Sequence, residues 1–162
     1  MSQTSWWKGT RGEWYVVAQV ALFVLVVVGP RTGLGWPTWT SPYTWLGSIG
    51  GSILLLIGAL LITSGIFRLG LNLTPVPYPK DHATLVETGP YQLVRHPMYS
   101  GAIFMAFGWA LWVHSWLTLI YAIILFVFFD LKARREEQWL TEKFPRYVIY
   151  QKRACKLIPF VY

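Results

Sequence analysis

The chain has 162 residues, about one domain by length; 54% are apolar, 13% charged and ten are tryptophan. That composition excludes an ordinary soluble domain and directs attention to the membrane. A net charge of +7 raises the possibility of a nucleic-acid partner, but the placement of the charges decides what it means. The single cysteine, Cys155, excludes an internal disulfide and a cysteine-rich metal site.

Four apolar segments follow in chain order. The first runs from about Trp14 to Val28 and is closed by Gly29-Pro30. Its charged start resembles a signal peptide, yet the following GPRTGLGW carries no small-x-small cleavage pattern, so it reads as an uncleaved helix that also uses residues near Arg11. The second, about Trp45 to Phe67, is long enough to cross a hydrocarbon core of roughly 30 Å. The third, about Pro97 to Val113, and the fourth, about Trp116 to Leu131, are separated only by His114-Ser115. They are expected to form a tight antiparallel hairpin. The predicted fold class is therefore all-α: a polytopic membrane protein with about four transmembrane helices and a cytoplasmic C-terminal helical segment. Residues 1–162 read as one domain, with the first two spans in 1–67 and the chemistry in 68–162.

With four spans, Lys8, Arg11, Arg68, Lys80, Arg95 and the eight basic residues from Lys132 to Lys156 share one side, and only Arg31 lies on the other. This asymmetry predicts cytoplasmic termini. All seven acidic residues fall on the same side, so the net charge is a topology signal and no nucleic-acid partner is expected. Trp14, Trp36, Trp39, Tyr43, Trp45, Trp112 and Trp116 sit near predicted membrane boundaries, where amphipathic rings are favoured. Gly47, Gly51, Gly58 and Gly65 form one helical stripe that permits close approach of another helix, within the monomer or in a homodimer.

Chemistry must come from the predicted cytoplasmic side, where the hairpin brings residues 68–101 and the sequence after segment four together. Pro97 suits the first turn of a helix and keeps His96 extended before it. The free N–H groups and the dipole of that turn favour an anion. Arg95 adds a fork suited to carboxylate or phosphate, and Tyr99 a ring face that can approach a cation. Each of these has a bland alternative as snorkelling arginine, interfacial tyrosine or structural cap. Lys132 and Glu136 are four apart and share a helix face, with Glu137 beside them; a solvated helix is the plain reading. Haem ligation is not expected, since His96 and His114 stand at opposite ends of segment three, roughly 27 Å apart at helical rise.

The run LVETGPYQLVRHPMYSG, a helical hairpin, then FFDLKARREE and a closing KLIPF resemble the isoprenylcysteine carboxyl methyltransferases, part of a wider group of membrane methyltransferases that includes the phospholipid N-methyltransferases. The resemblance covers about residues 68 to 160. It implies methyl transfer from S-adenosylmethionine, with S-adenosylhomocysteine as product, to a lipidic acceptor arriving from the bilayer. The expected cofactor contacts are Ala83, Thr84, Leu85, Val86, Tyr91, His96, Pro97, Met98, Tyr99, Glu136 and Glu137. Lys132 falls where the eukaryotic enzymes carry a substrate-facing arginine, and Arg95 or Lys132 is expected to orient the acceptor. No metal is implied. A prenylcysteine-like carboxylate is the first expectation for the acceptor; a phospholipid amine or small thiol is the alternative. A non-catalytic scaffold or small transporter assembled through the glycine stripe is the rival from another class.

Overall fold

The computed structural model describes residues 12–33, 35–74, 76, 78, 79 and 82–162. The parts of the charge asymmetry carried by Lys8, Arg11 and Lys80 lie outside these residues. The described chain is helical, and its only β-type pairing is an isolated parallel bridge between Val94 and Cys155. Four main helices occur in chain order: α1 Glu13–Val28, α2 Tyr43–Leu69, α3 Pro97–Trp112 and α4 Trp116–Lys143, followed by a short α5, Tyr147–Gln151.

Local chemistry explains the boundaries. Gly29, with an extended ψ of 163° before Pro30, stops α1. Pro97 opens α3 at its first turn, where a missing N–H is harmless. Between α3 and α4 the chain reverses at His114, whose φ is 52°. Ser115 then caps α4 by accepting from the Thr118 N–H at 3.1 Å. The fourth apolar segment does not stop at Leu131: α4 continues unbroken to Lys143, carrying its charged end clear of the apolar stretch.

The glycine stripe finds its partner inside the chain. α2 and α3 run antiparallel, with Gly47 against Leu111 and His114 at one end and Gly65 against Pro97 and Met98 at the other. Contact is backbone to backbone. A Cβ on Gly51 would stand 2.6 Å from the Gly108 carbonyl oxygen, and one on Gly58 2.6 Å from that of Gly101. Reciprocally, a Cβ on Gly101 would stand 2.5 Å from the Gly58 oxygen. The alternative that this face pairs two copies is thereby corrected: Gly47, Gly51, Gly58 and Gly65 are buried against α3, because closely approaching backbones need small residues on both helices.

α4 packs between α3 and α1, burying Ile103, Ala106, Ala122, Leu125 and Phe129 with Val26. The outward faces are apolar too: Val20, Val24, Leu56, Leu60, Phe67, Ile123 and Val127 are each at least half exposed. Two helical stretches, Tyr43–Asn72 and Trp116–Lys143, are long and apolar enough to cross a bilayer, and a shell of exposed aliphatic side chains suits lipid rather than water. The tail after α4 folds back over the same end of the bundle, where Leu157 joins the core.

Candidate active site

At that end, residues 69–74, 83–86 and 91–99, with α4 and α5, line a cleft of about 810 Å³, open at its mouth. Its polar wall is set by the returning tail. The Arg95 N–H donates to the Cys155 carbonyl at 2.8 Å, Cys155 N–H to Leu93 at 3.2 Å, and His96 N–H to Lys156 at 3.3 Å. These bonds hold residues 93–96 against the tail up to Pro97, where α3 begins and no side chain caps the first turn. Across the cleft, Asn72 clasps Thr84 by two bonds of 3.1 Å, side chain to side chain and side chain to backbone, which seats the Ala83–Val86 strip on the short 3-10 turn, Gly70–Asn72, that follows α2.

Two neighbouring glutamates on α4 have opposite roles. Glu136 faces the cleft and accepts from the Tyr99 hydroxyl at 2.7 Å, with His96 Nδ1 3.7 Å away. Its other oxygen accepts no hydrogen bond among the described residues. Glu137 does not line this cleft. It accepts from Arg95 Nε at 2.7 Å, His96 Nε2 at 3.1 Å and Gln151 Nε2 at 3.1 Å, the histidine tautomer following from the carboxylate partner. Helical geometry turns adjacent residues about 100° apart, so one carboxylate reaches the cleft and the next reaches the tail.

Arg95 lines the cleft, but its guanidinium is committed elsewhere. Besides Glu137 it donates to the carbonyls of Gln151 at 3.0 Å and Ala154 at 2.5 Å. Burial works against its charge, and the bond to Glu137 outweighs this and raises its pKa. Arg95 thus ties α4 to the tail rather than offering a free fork to an acceptor. Lys132 is 1% exposed and lies outside the cleft lining. Its ammonium donates to Gln19 of α1 at 2.6 Å and stands 5.0 Å from the Tyr99 ring centroid. That ring is stacked between His96 at 5.3 Å and Phe129 at 4.8 Å, so Tyr99 forms the floor between the cleft and the apolar bundle.

Ala83, Thr84, Leu85, Val86, Tyr91, His96, Pro97, Met98, Tyr99 and Glu136 all border the one cleft. Sequence reasoning missed Asn72, Leu140, Phe144, Tyr147 and Tyr150, which also line it. Tyr150 donates to the Tyr91 carbonyl at 2.5 Å. Tyr147 is 1% exposed, and its hydroxyl has no hydrogen-bond partner among the described residues. Burial, then the charge of Glu137, push its phenol pKa up, so the group is a proton donor in search of an acceptor. The i,i+3 spacing of the two tyrosines was the available signal, but α5 is a five-residue helix too short to read by periodicity.

A family model described as phospholipid methyltransferase matches residues 46–147. Among curated proteins, the chain is 31% identical over 121 residues to protein-S-isoprenylcysteine O-methyltransferase B of Arabidopsis thaliana, covering 72% of this chain and 61% of that protein. It is 32% identical over 123 residues to the Saccharomyces cerevisiae protein-S-isoprenylcysteine O-methyltransferase, covering 73% and 51%. With the human protein of that name the figures are 30% over 130 residues, 78% and 45%. The chain thus spans about half the length of these relatives. A solved eukaryotic intramembrane Ras methyltransferase, isoprenylcysteine carboxyl methyltransferase, superimposes with a TM-score of 0.64 at 20% identity, covering 99% of this chain and 55% of that one. At this identity the match speaks for a shared fold.

Proposed function

The chain belongs to the phospholipid methyltransferase family, and from that premise we propose that it is a membrane-embedded methyltransferase using S-adenosylmethionine on a lipidic acceptor. The observation that carries the proposal is the convergence, on one cleft, of a glutamate with a free oxygen, a buried tyrosine hydroxyl without a partner and the uncapped start of α3. These complement a ligand bearing an ammonium, hydroxyls and a carboxylate. Glu136 would accept from the ammonium or ribose hydroxyls, and the first turn of α3 would favour the carboxylate. Tyr147 would donate to an acceptor atom, and the ring of Tyr91 would lie against adenine or cation, above the floor that the stacked Tyr99 ring provides. S-Adenosylmethionine, when bound, supplies an electrophilic methyl group on a sulfonium. The surrounding residues position the reactants and exclude water.

The acceptor proposed is a prenylcysteine-like carboxylate, the group that the relatives' names denote. A carboxylate is already anionic, so no general base is required. An apolar cleft of about 730 Å³ among α1, α2, α3 and α4, lined by Phe23, Val26, Leu55, Ile62 and Met105 among others, supports a hydrocarbon tail. The description of the matching family model favours a phospholipid amine as the second reading. The basic residues gathered at the cleft end support cytoplasmic placement of that end and of both termini.

Calorimetric titration of the detergent-purified protein with S-adenosylhomocysteine tests the cofactor. Saturable binding is expected, weakened tenfold or more by Glu136→Ala and by His96→Ala; no heat at millimolar ligand overturns the reading. Transfer of radiolabelled methyl to prenylcysteine, phosphatidylethanolamine or thiol acceptors then identifies the substrate.

A further inference from the structure

The other end of the bundle carries a second, open recess, whose lining includes Arg31, Trp36, Trp39, Thr44, His114 and Trp116. Its hydrogen bonding is unbalanced. Three carbonyl acceptors of this corner are taken by the chain's own donors. Ser115 Oγ donates to the Arg31 carbonyl at 2.7 Å, Trp116 Nε1 to that of Pro37 at 3.2 Å, and His114 Nε2 to that of Thr44 at 2.8 Å. Two donors are left over. The Trp39 indole N–H is buried without a partner among the described residues, although its ring is held against His114 at 5.8 Å and Trp116 at 4.9 Å. The Arg31 guanidinium stands 5.2 Å from the Trp109 ring centroid and pairs with no carboxylate among the described residues.

No counter-ion is available in the local sequence either: residues 29–44 and 112–116 contain no aspartate or glutamate. A recess with surplus donors and a cation, and no free acid, suits an anion. Arginine's planar fork matches a phosphodiester in two places at once. Trp36, Trp39, Trp112 and Trp116 gather at this end, the side chains favoured at headgroup depth, and the abundant anion at that depth is the lipid phosphate. We propose that this corner binds the phosphate group of a membrane phospholipid, in the leaflet opposite the active-site cleft. Such a lipid would tie the α1–α2 connection to the α3–α4 turn. The site is separate from the cleft, so the inference does not depend on the function proposed for the latter.

Native mass spectrometry of the detergent-purified protein, titrated with phosphatidylglycerol, tests this; diacylglycerol and glycerol phosphate are the parallel arms. Discrete phosphatidylglycerol adducts are expected, with weaker binding in both parallel arms. Arg31→Gln should lower the lipid affinity fivefold or more. Trp39→Phe, which keeps an aromatic ring but removes the N–H together with the rest of the pyrrole ring, should lower it about twofold. Arg135→Gln, a change to an exposed arginine near the cleft end, should leave it unchanged. Equal binding by wild type, Arg31→Gln and Trp39→Phe overturns the proposal, and so does equal binding of diacylglycerol. Glycerol phosphate binding as tightly as the lipid would show a free-phosphate site instead. If Arg31→Gln elutes as an aggregate, Arg31→Lys replaces it, with loss of the fork expected to lower affinity about threefold.

Discussion

The seam between α2 and α3 and the join between α4 and the tail hold the same molecule together by different physics. The seam is made of glycines facing backbone, with Gly51 against Gly108 and Gly58 against Gly101. The join is made of charge: Glu137 accepts from Arg95, His96 and Gln151, and Asp130 receives Lys156, Tyr162 and Arg134. The difference follows from surroundings. Between helices in lipid, apolar burial drives nothing, so close van der Waals approach must do the holding. At the cleft end the chain leaves the apolar stretch, and directional bonds can set side chains beside a solvent-filled opening without closing it.

That contrast can be broken from either side. Gly58→Leu should be the most damaging change, because its side chain would have to displace the α3 backbone at Gly101 and Met105; loss of monodisperse protein on size-exclusion chromatography is expected. Gly50→Ala is its control: the nearest atom to an added Cβ is 3.9 Å away, and thermal stability should hold or rise by roughly 0.5–1 kcal/mol from helix propensity. On the other side of the contrast, Arg95→Ala removes the charged partner of Glu137, leaves it His96 and Gln151, frees the carbonyls of Gln151 and Ala154, and should cost roughly 2 kcal/mol. The change should loosen the tail before the bundle, seen as faster amide exchange in residues 147–157 with the α2–α3 seam still protected.

The two glutamates sharpen the same comparison. Glu136→Ala should weaken S-adenosylhomocysteine tenfold or more, about 1.4 kcal/mol, with little change in melting temperature. Glu137→Ala should lower the melting temperature first and affinity through it. A result in which the two variants behave alike would mean that the join and the cleft are one unit. The smallest effect is expected at Tyr147. Removing a buried hydroxyl without a partner should leave the ligand-free protein as stable or up to about 1 kcal/mol more so, while ligand affinity falls about fivefold. If Tyr147→Phe binds as wild type does, the hydroxyl does not contact the ligand.

Much of this was legible in the chain. Apolar run length predicted the first three helices nearly to their ends and the start of the fourth, though not its charged extension to Lys143, and the proline of Arg95-His96-Pro97 marked the start of α3, because both signals are local. The residues implied by the RHPMY stretch and by Glu136 do border one cleft. Side-chain direction was not legible. Arg95 and Lys132 were expected to face an acceptor, yet one is spent on the tail and the other donates to Gln19 across the bundle. Tyr147 carried no signal above that of any aromatic pair in a short helix.

Sequence by itself determined which segments are helical and which end of the bundle carries the charge, since hydrophobic run length, proline and glycine act over a few residues. Only the tertiary structure decided what each polar group faces. The partner of the glycine stripe, the split between Glu136 and Glu137, and the surplus donors around Arg31 all depend on residues tens of positions apart, and proximity across such distances is created by packing.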